Sequence, residues 1–189
     1  MAMMTFEQKL ELINQLIFRA RVHYDIWWVY EGKNTRQKFL ETMNYYSEFF
    51  RFDSHANFVS LLMHLSQIYE TRHDTLNFGT IIKDAINKGI NDEVVARSNM
   101  ALQEANLLWR KVLIIRGNLF AHRNVKLSYE DVFKKASITP GNLGELTLYG
   151  LSVVNPFLVA LGKEQREFNS LVTDDTVHFS SFHPVQHAR

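Results

Sequence analysis

Thr5-Phe6-Glu7-Gln8-Lys9-Leu10-Glu11-Leu12-Ile13-Asn14-Gln15-Leu16-Ile17 decides the fold class. Phe6, Leu10, Ile13, Leu16 and Ile17 recur at the spacing of one helical face. Thr5 stands before the run as an N-cap, and Gln8 follows three residues later, placed to close a capping box. The pattern continues through Trp27 and Trp28 to about Tyr30, which predicts a long first helix.

Outward from that helix, Glu31 to Thr35 breaks the pattern. Helix resumes near Arg36 and runs through Phe39, Met43, Tyr46 and Phe50. Asp53 or Ser54 is expected as a fresh cap for Phe58 to Tyr69, or else the two pieces form one kinked helix. Arg72 to Asn77 reads as a polar connection, and Phe78 to Asn87 as a short helix closed by Lys88-Gly89. Asp92 is expected to cap a helix from Glu93 to about Arg123. Ser128 is expected to cap a short one with Glu130 and Asp131 in its first turn. Pro140 to Gly144 reads as loop, and Glu145 to about Leu171 as a last long helix kinked at Pro156. The tail from Thr173 is expected to be irregular. Long amphipathic helices with short connections imply an all-α, antiparallel up-and-down bundle. The expected organisation is one domain over residues 1–172 and a tail over residues 173–189.

Composition supports helices. Only three prolines and eight glycines occur in 189 residues, too few for a turn-rich sandwich. With no cysteine, disulfides, thiolate metal sites and a Cys nucleophile are excluded. The N-terminus meets Glu7, Lys9 and Glu11 without an apolar run, so no secretory signal is expected. Leu151 to Leu161 is too short for a bilayer and contains Asn155 and Pro156. A cytoplasmic location with no membrane partner follows as the expectation. His55, His64 and His73 sit nine residues apart, which spreads the outer two over about 27 Å of helix. They cannot share a metal, and no Gly-rich phosphate loop appears, so no metal and no cofactor are expected.

Chemistry concentrates in Arg116-Gly117-Asn118-Leu119-Phe120-Ala121-His122. Arginine holds phosphate charge, and histidine moves protons near neutral pH. Between Arg110 and Lys135 seven cations stand against Glu130 and Asp131, a window of +5 in a chain of net charge +1. Asn118 and His122 are four apart and share a helical face. Arg116 and His122 are six apart, about 120° from each other on the wheel. Three things can bring them together: the length of the arginine, a distortion at Gly117, or a second copy across a two-fold axis. Leu108, Val112, Ile115, Leu119 and His122 follow a 4-3-4-3 spacing, and the part from Leu119 to His122 is where a partner would pack. The same spacing also suits a packed interface histidine.

The segment Ile114 to Arg123, with its Phe-Ala-His-Arg ending, resembles the signature of the HEPN superfamily, an Arg followed after four to six residues by His at the end of a bundle helix. Together with Ile68-Tyr69-Glu70-Thr71-Arg72-His73-Asp74-Thr75 it looks most like the AbiU2-like branch. The resemblance implies a metal-independent endoribonuclease that acts as a homodimer, in toxin–antitoxin or abortive-infection defence, with a cognate antitoxin as a partner. It implies catalytic roles for Arg116 and His122, and Asn118 is taken as the third catalytic candidate. Arg110, Lys111, Arg123, Lys126, Arg72 and His73 are the expected RNA contacts. Gly117 stands where the family carries Asn, Asp or His, and Asn124 where an acidic residue often occurs. Two alternatives stay open: a catalytically silent relative that binds RNA, nucleotide or a protein, and a purely structural helical module. Trp27, Trp28 and Tyr30 offer stacking surfaces, but on an amphipathic helix such residues are more often core.

Overall fold

A computed structural model describes residues 4–118 and 129–181. Helix α1 (Phe6–Glu31) starts at the expected capping box. Gln8 N–H donates to Thr5 Oγ1 at 3.2 Å, and Thr5 N–H donates to Gln8 Oε1 at 2.9 Å. A single turn, α2 (Lys33–Arg36), a 3₁₀ turn (Gln37–Phe39) and α3 (Leu40–Tyr45) follow. The remaining helices are α4 (Ser47–Tyr69), α5 (Phe78–Asn87), α6 (Asp92–Arg116), α7 (Tyr129–Ala136), α8 (Pro140–Ala160) and α9 (Leu171–Ser180). No strand occurs among the described residues.

The bundle is built around α1, which packs lengthwise on α4 and on α8, while α6 pairs with α8. Trp27 stacks on Phe58 at 4.9 Å, and His23 lies against His64 farther along α4. Residue numbers fall on one helix as they rise on the other, so α1 and α4 are antiparallel. Phe6 meets Phe157 edge-on at 6.0 Å, while Tyr24 lies beside Gly144, so α8 also opposes α1. Leu10, Ile13, Ile17, Leu61, Leu65, Ile115 and Phe157 are sealed in the common core. A satellite core of Val29, Tyr30, Phe39, Met43 and Phe50 closes the end where α1 turns toward α4.

Several local expectations are corrected. Neither Asp53 nor Ser54 caps a helix: both lie inside α4, and Ser54 Oγ instead donates to Glu31 Oε1 at 2.8 Å, across to α1. The break falls at Tyr46, where φ −107 and ψ 42 leave the helical region. The cap of α6 is Asn91, whose Oδ1 accepts from Glu93 N–H at 2.8 Å, and Asp92 is already helical. Pro140 is not loop but the first residue of α8, where its missing N–H is not needed. The same helix stops at Ala160 rather than near Leu171, with Gly162 at φ 71. The tail is not irregular at its start: Leu171–Ser180 forms α9, which packs on α1. Taken whole, α8 is long and apolar enough to cross a membrane, but 56% of its apolar window is buried within the protein.

Candidate functional site

Helix α6 carries the site. Val112 and Ile115 are fully buried, and Trp109 stacks on Tyr69 at 5.7 Å. These three face the bundle, so Arg110, Lys111 and Arg116 stay exposed on the remaining surface. The described part of the stripe, Leu108, Val112 and Ile115, is therefore a core face, and Leu119 and His122, where a partner is expected, lie outside the described residues. A different stripe is exposed: Met100 at 62%, Leu107 at 68% and Ile114 at 36%. These lie seven residues apart and stack along one side of α6.

After Arg116 the helix widens into a π-helical turn at Gly117 and Asn118. The Gly117 N–H is shared between the carbonyls of Ile114 and Leu113. Residues in such a turn advance less than the usual 100°, so the phase of the helix shifts at this point. Gly117 sits at φ −63 and ψ −41, an ordinary helical conformation, and a Cβ built there meets nothing within 4 Å.

Asn118 is engaged at both ends of its amide. Its Nδ2 donates to the Ile114 carbonyl at 2.7 Å, and its Oδ1 accepts from Lys135 Nζ at 3.3 Å. Lys135 comes from α7, which is tied back to α6 by Lys111 Nζ donating to the Ser137 carbonyl at 3.3 Å. The cation of α7 closest to the motif is thus Lys135, a residue that sequence reading counted only within the basic window. His122, Arg123 and Lys126 lie outside the described residues.

Arg72 and His73 belong elsewhere. They line a cleft of about 310 Å³ between the end of α4, the start of α5 and the middle of α6. Asn106, which also lines it, precedes Arg116 by ten residues, or about 15 Å along the helix axis. Arg72 grips Asp74 with two bonds, Nε to Oδ1 at 3.0 Å and Nη2 to Oδ2 at 2.6 Å. That pairing raises the guanidinium pKa and lowers the carboxyl's. The stacking candidates divide: Trp27 and Tyr30 are buried, while Trp28 is 38% exposed and lies parallel to Tyr24 at 6.3 Å. Among the described residues no group of three His, Asp or Glu side chains is placed to hold a metal ion.

The family model HEPN_AbiU2 (AbiU2) matches residues 3–179. No curated protein and no solved structure matches the chain. The chain belongs to the AbiU2 family of HEPN proteins, an abortive-infection-associated group.

Proposed function

We propose that the protein is a metal-independent endoribonuclease of abortive-infection defence, working as a homodimer. The observation that carries this reading is the exposed Arg116 at the end of a core-anchored helix, with Lys135 held nearby by Asn118, in a HEPN chain. In the proposed reaction the ribose 2′-OH attacks the adjacent phosphorus and the bond to the 5′-oxygen breaks. A 2′,3′-cyclic phosphate and a 5′-hydroxyl result. His122 takes the 2′-OH proton or returns one to the leaving oxygen, and in a dimer the two copies can divide these tasks. Arg116 stabilises charge on the crowded phosphate. RNA is the substrate class because the nucleophile is the 2′-OH.

The Met100, Leu107 and Ile114 stripe supports self-association, since it leaves a coiled-coil-like apolar seam on the helix that bears Arg116. The test is RNA cleavage in EDTA with analysis of the ends. Cyclic-phosphate ends that vanish with His122→Ala are expected, and undiminished cleavage by a clean preparation of that variant would refute the assignment. A second reading, RNA binding without cleavage, draws on Gly117, which stands where the family pattern has a polar residue. Stable binding with no product in the same assay supports it.

A further inference from the structure

We propose that the cleft between α4, α5 and α6 is a subsite for one nucleotide of a single-stranded RNA, distinct from the Arg116 centre. The inference rests on the RNA reading above, but its test reads binding alone.

The floor of the cleft is apolar. Tyr69 and Phe78 meet edge-to-face at 5.0 Å, both almost wholly buried. Half-buried Leu102 supplies accessible apolar surface above them, which suits a base and gives a phosphate nothing. The rim is polar and carries both signs of charge, with Arg72, His73 and Lys83 exposed and Glu70 beside them. Asn106, half-buried, offers an amide donor and an amide acceptor, the pair of groups that reads a base edge. A volume of about 310 Å³ is at the small end for ligand sites and takes one splayed nucleotide, not a duplex.

Charge narrows the ligand further. Asp74 pairs with Arg72, Glu70 brings a second negative charge to the rim, and Lys83 makes no ion pair among the described residues, so the formal charges balance and Lys83 is the cation left to meet a phosphate. A rim of balanced charge with one unpaired lysine tolerates a single phosphodiester and disfavours a free triphosphate. Asn106, Arg110 and Leu113 follow 4-3 spacing on α6 and so share a face. Exposed Arg110 therefore lies between the cleft and the end of the helix where Arg116 stands, along a path a few nucleotides long.

The probe is a deoxyadenosine dinucleotide, which carries one diester charge and, lacking a 2′-OH, is not cleaved. Binding is followed by NMR shift perturbation on the full chain, beside adenosine and ATP. The dinucleotide should bind more tightly than either. Lys83→Glu should weaken it about tenfold, the effect of one charge-assisted hydrogen bond. Asn106→Asp should weaken it as well, and Arg116→Ala should leave it unchanged. No dinucleotide binding, binding unaffected by Lys83→Glu, binding lost with Arg116→Ala, or tighter binding of ATP would each overturn the proposal. Retained binding in a protein that never cleaves RNA would uphold the subsite while removing the nuclease. Cleavage by a protein whose binding ignores Lys83 would do the reverse.

Discussion

Lys135 Nζ lies 3.3 Å from Asn118 Oδ1, and this contact joins the last described turn of α6 to α7. Its Nδ2 is committed to the Ile114 carbonyl, so the amide bridges that backbone and Lys135. We propose that Asn118 is a positioning residue that holds Lys135 for the substrate. Asn118→Ala and Lys135→Ala should each slow RNA cleavage about five- to tenfold, the effect of one hydrogen bond. The double variant should be no slower than the slower single one. Additive losses in single-turnover cleavage would mean that Asn118 meets the substrate itself.

Gly117 tests how much of the site depends on backbone freedom. Its φ of −63 is open to any residue, and among the described residues nothing lies within 4 Å of a Cβ built there. Gly117→Ala should raise stability by about 0.5–1 kcal/mol, because alanine loses less entropy in a helix. Urea unfolding reads this directly. A destabilised variant would show that the π-helical turn depends on the glycine.

Leu107, at 68% exposure the most open residue of the α6 seam, is the place to break a dimer. Leu107→Glu should give a monomer by sedimentation with unchanged helical content, since the side chain makes no part of the core. Cleavage should fall with the dimer. A dimer that survives the substitution places the interface off this face.

The His23 and His64 rings stack at 5.5 Å between α1 and α4. Around them, Asn57 Oδ1 lies 2.9 Å from His23 Nδ1, and Gln67 Oε1 lies 3.3 Å from His64 Nδ1. Burial holds the His64 pKa below its ordinary value, and the charges of His23 and Arg19 push the same way against the Gln67 bond. The unfolded chain thus takes up its proton at about pH 6.5, before the folded chain does. Stability should be level above neutrality, fall as pH drops through about 6.5, and flatten below the folded value. His64→Gln should lessen that fall in thermal melts, and a wild-type Tm independent of pH across this range would contradict the assignment.

Much of the fold was legible because its signals are local. The Thr5 and Gln8 box and the Lys88-Gly89 stop involve residues within one turn of each other, and both stand where sequence placed them. The failures are of two kinds. Pro140 reads equally as loop or as helix start, and only the α8 that follows decides. Ser54 has the chemistry of a cap, but its hydroxyl serves Glu31 on another helix, a relation that no spacing reveals. The site shows the same limit. Periodicity shows the stripe that runs through Val112 and Ile115 but not how much of it the bundle takes, and Met100, Leu107 and Ile114, one residue every two turns, leave no comparable signal. Lys135 was visible only as charge, because its partner is seventeen residues away.

Gly144 and Gly150 make two notches in α8. A Cβ at Gly144 would come within 2.7 Å of the Tyr24 ring, and one at Gly150 within 3.2 Å of Ile17. Tyr24 and Ile17 act as teeth seated in these notches, and the two helices have one register. A slip of one turn, about 5.4 Å, would drive Ile17 against Leu146 and Thr147 or against Val153 and Val154, all of which carry a Cβ. The α1–α8 half of the molecule therefore cannot shear or ratchet. A motion that reshapes the bundle has to leave this register intact and work through the other helix contacts.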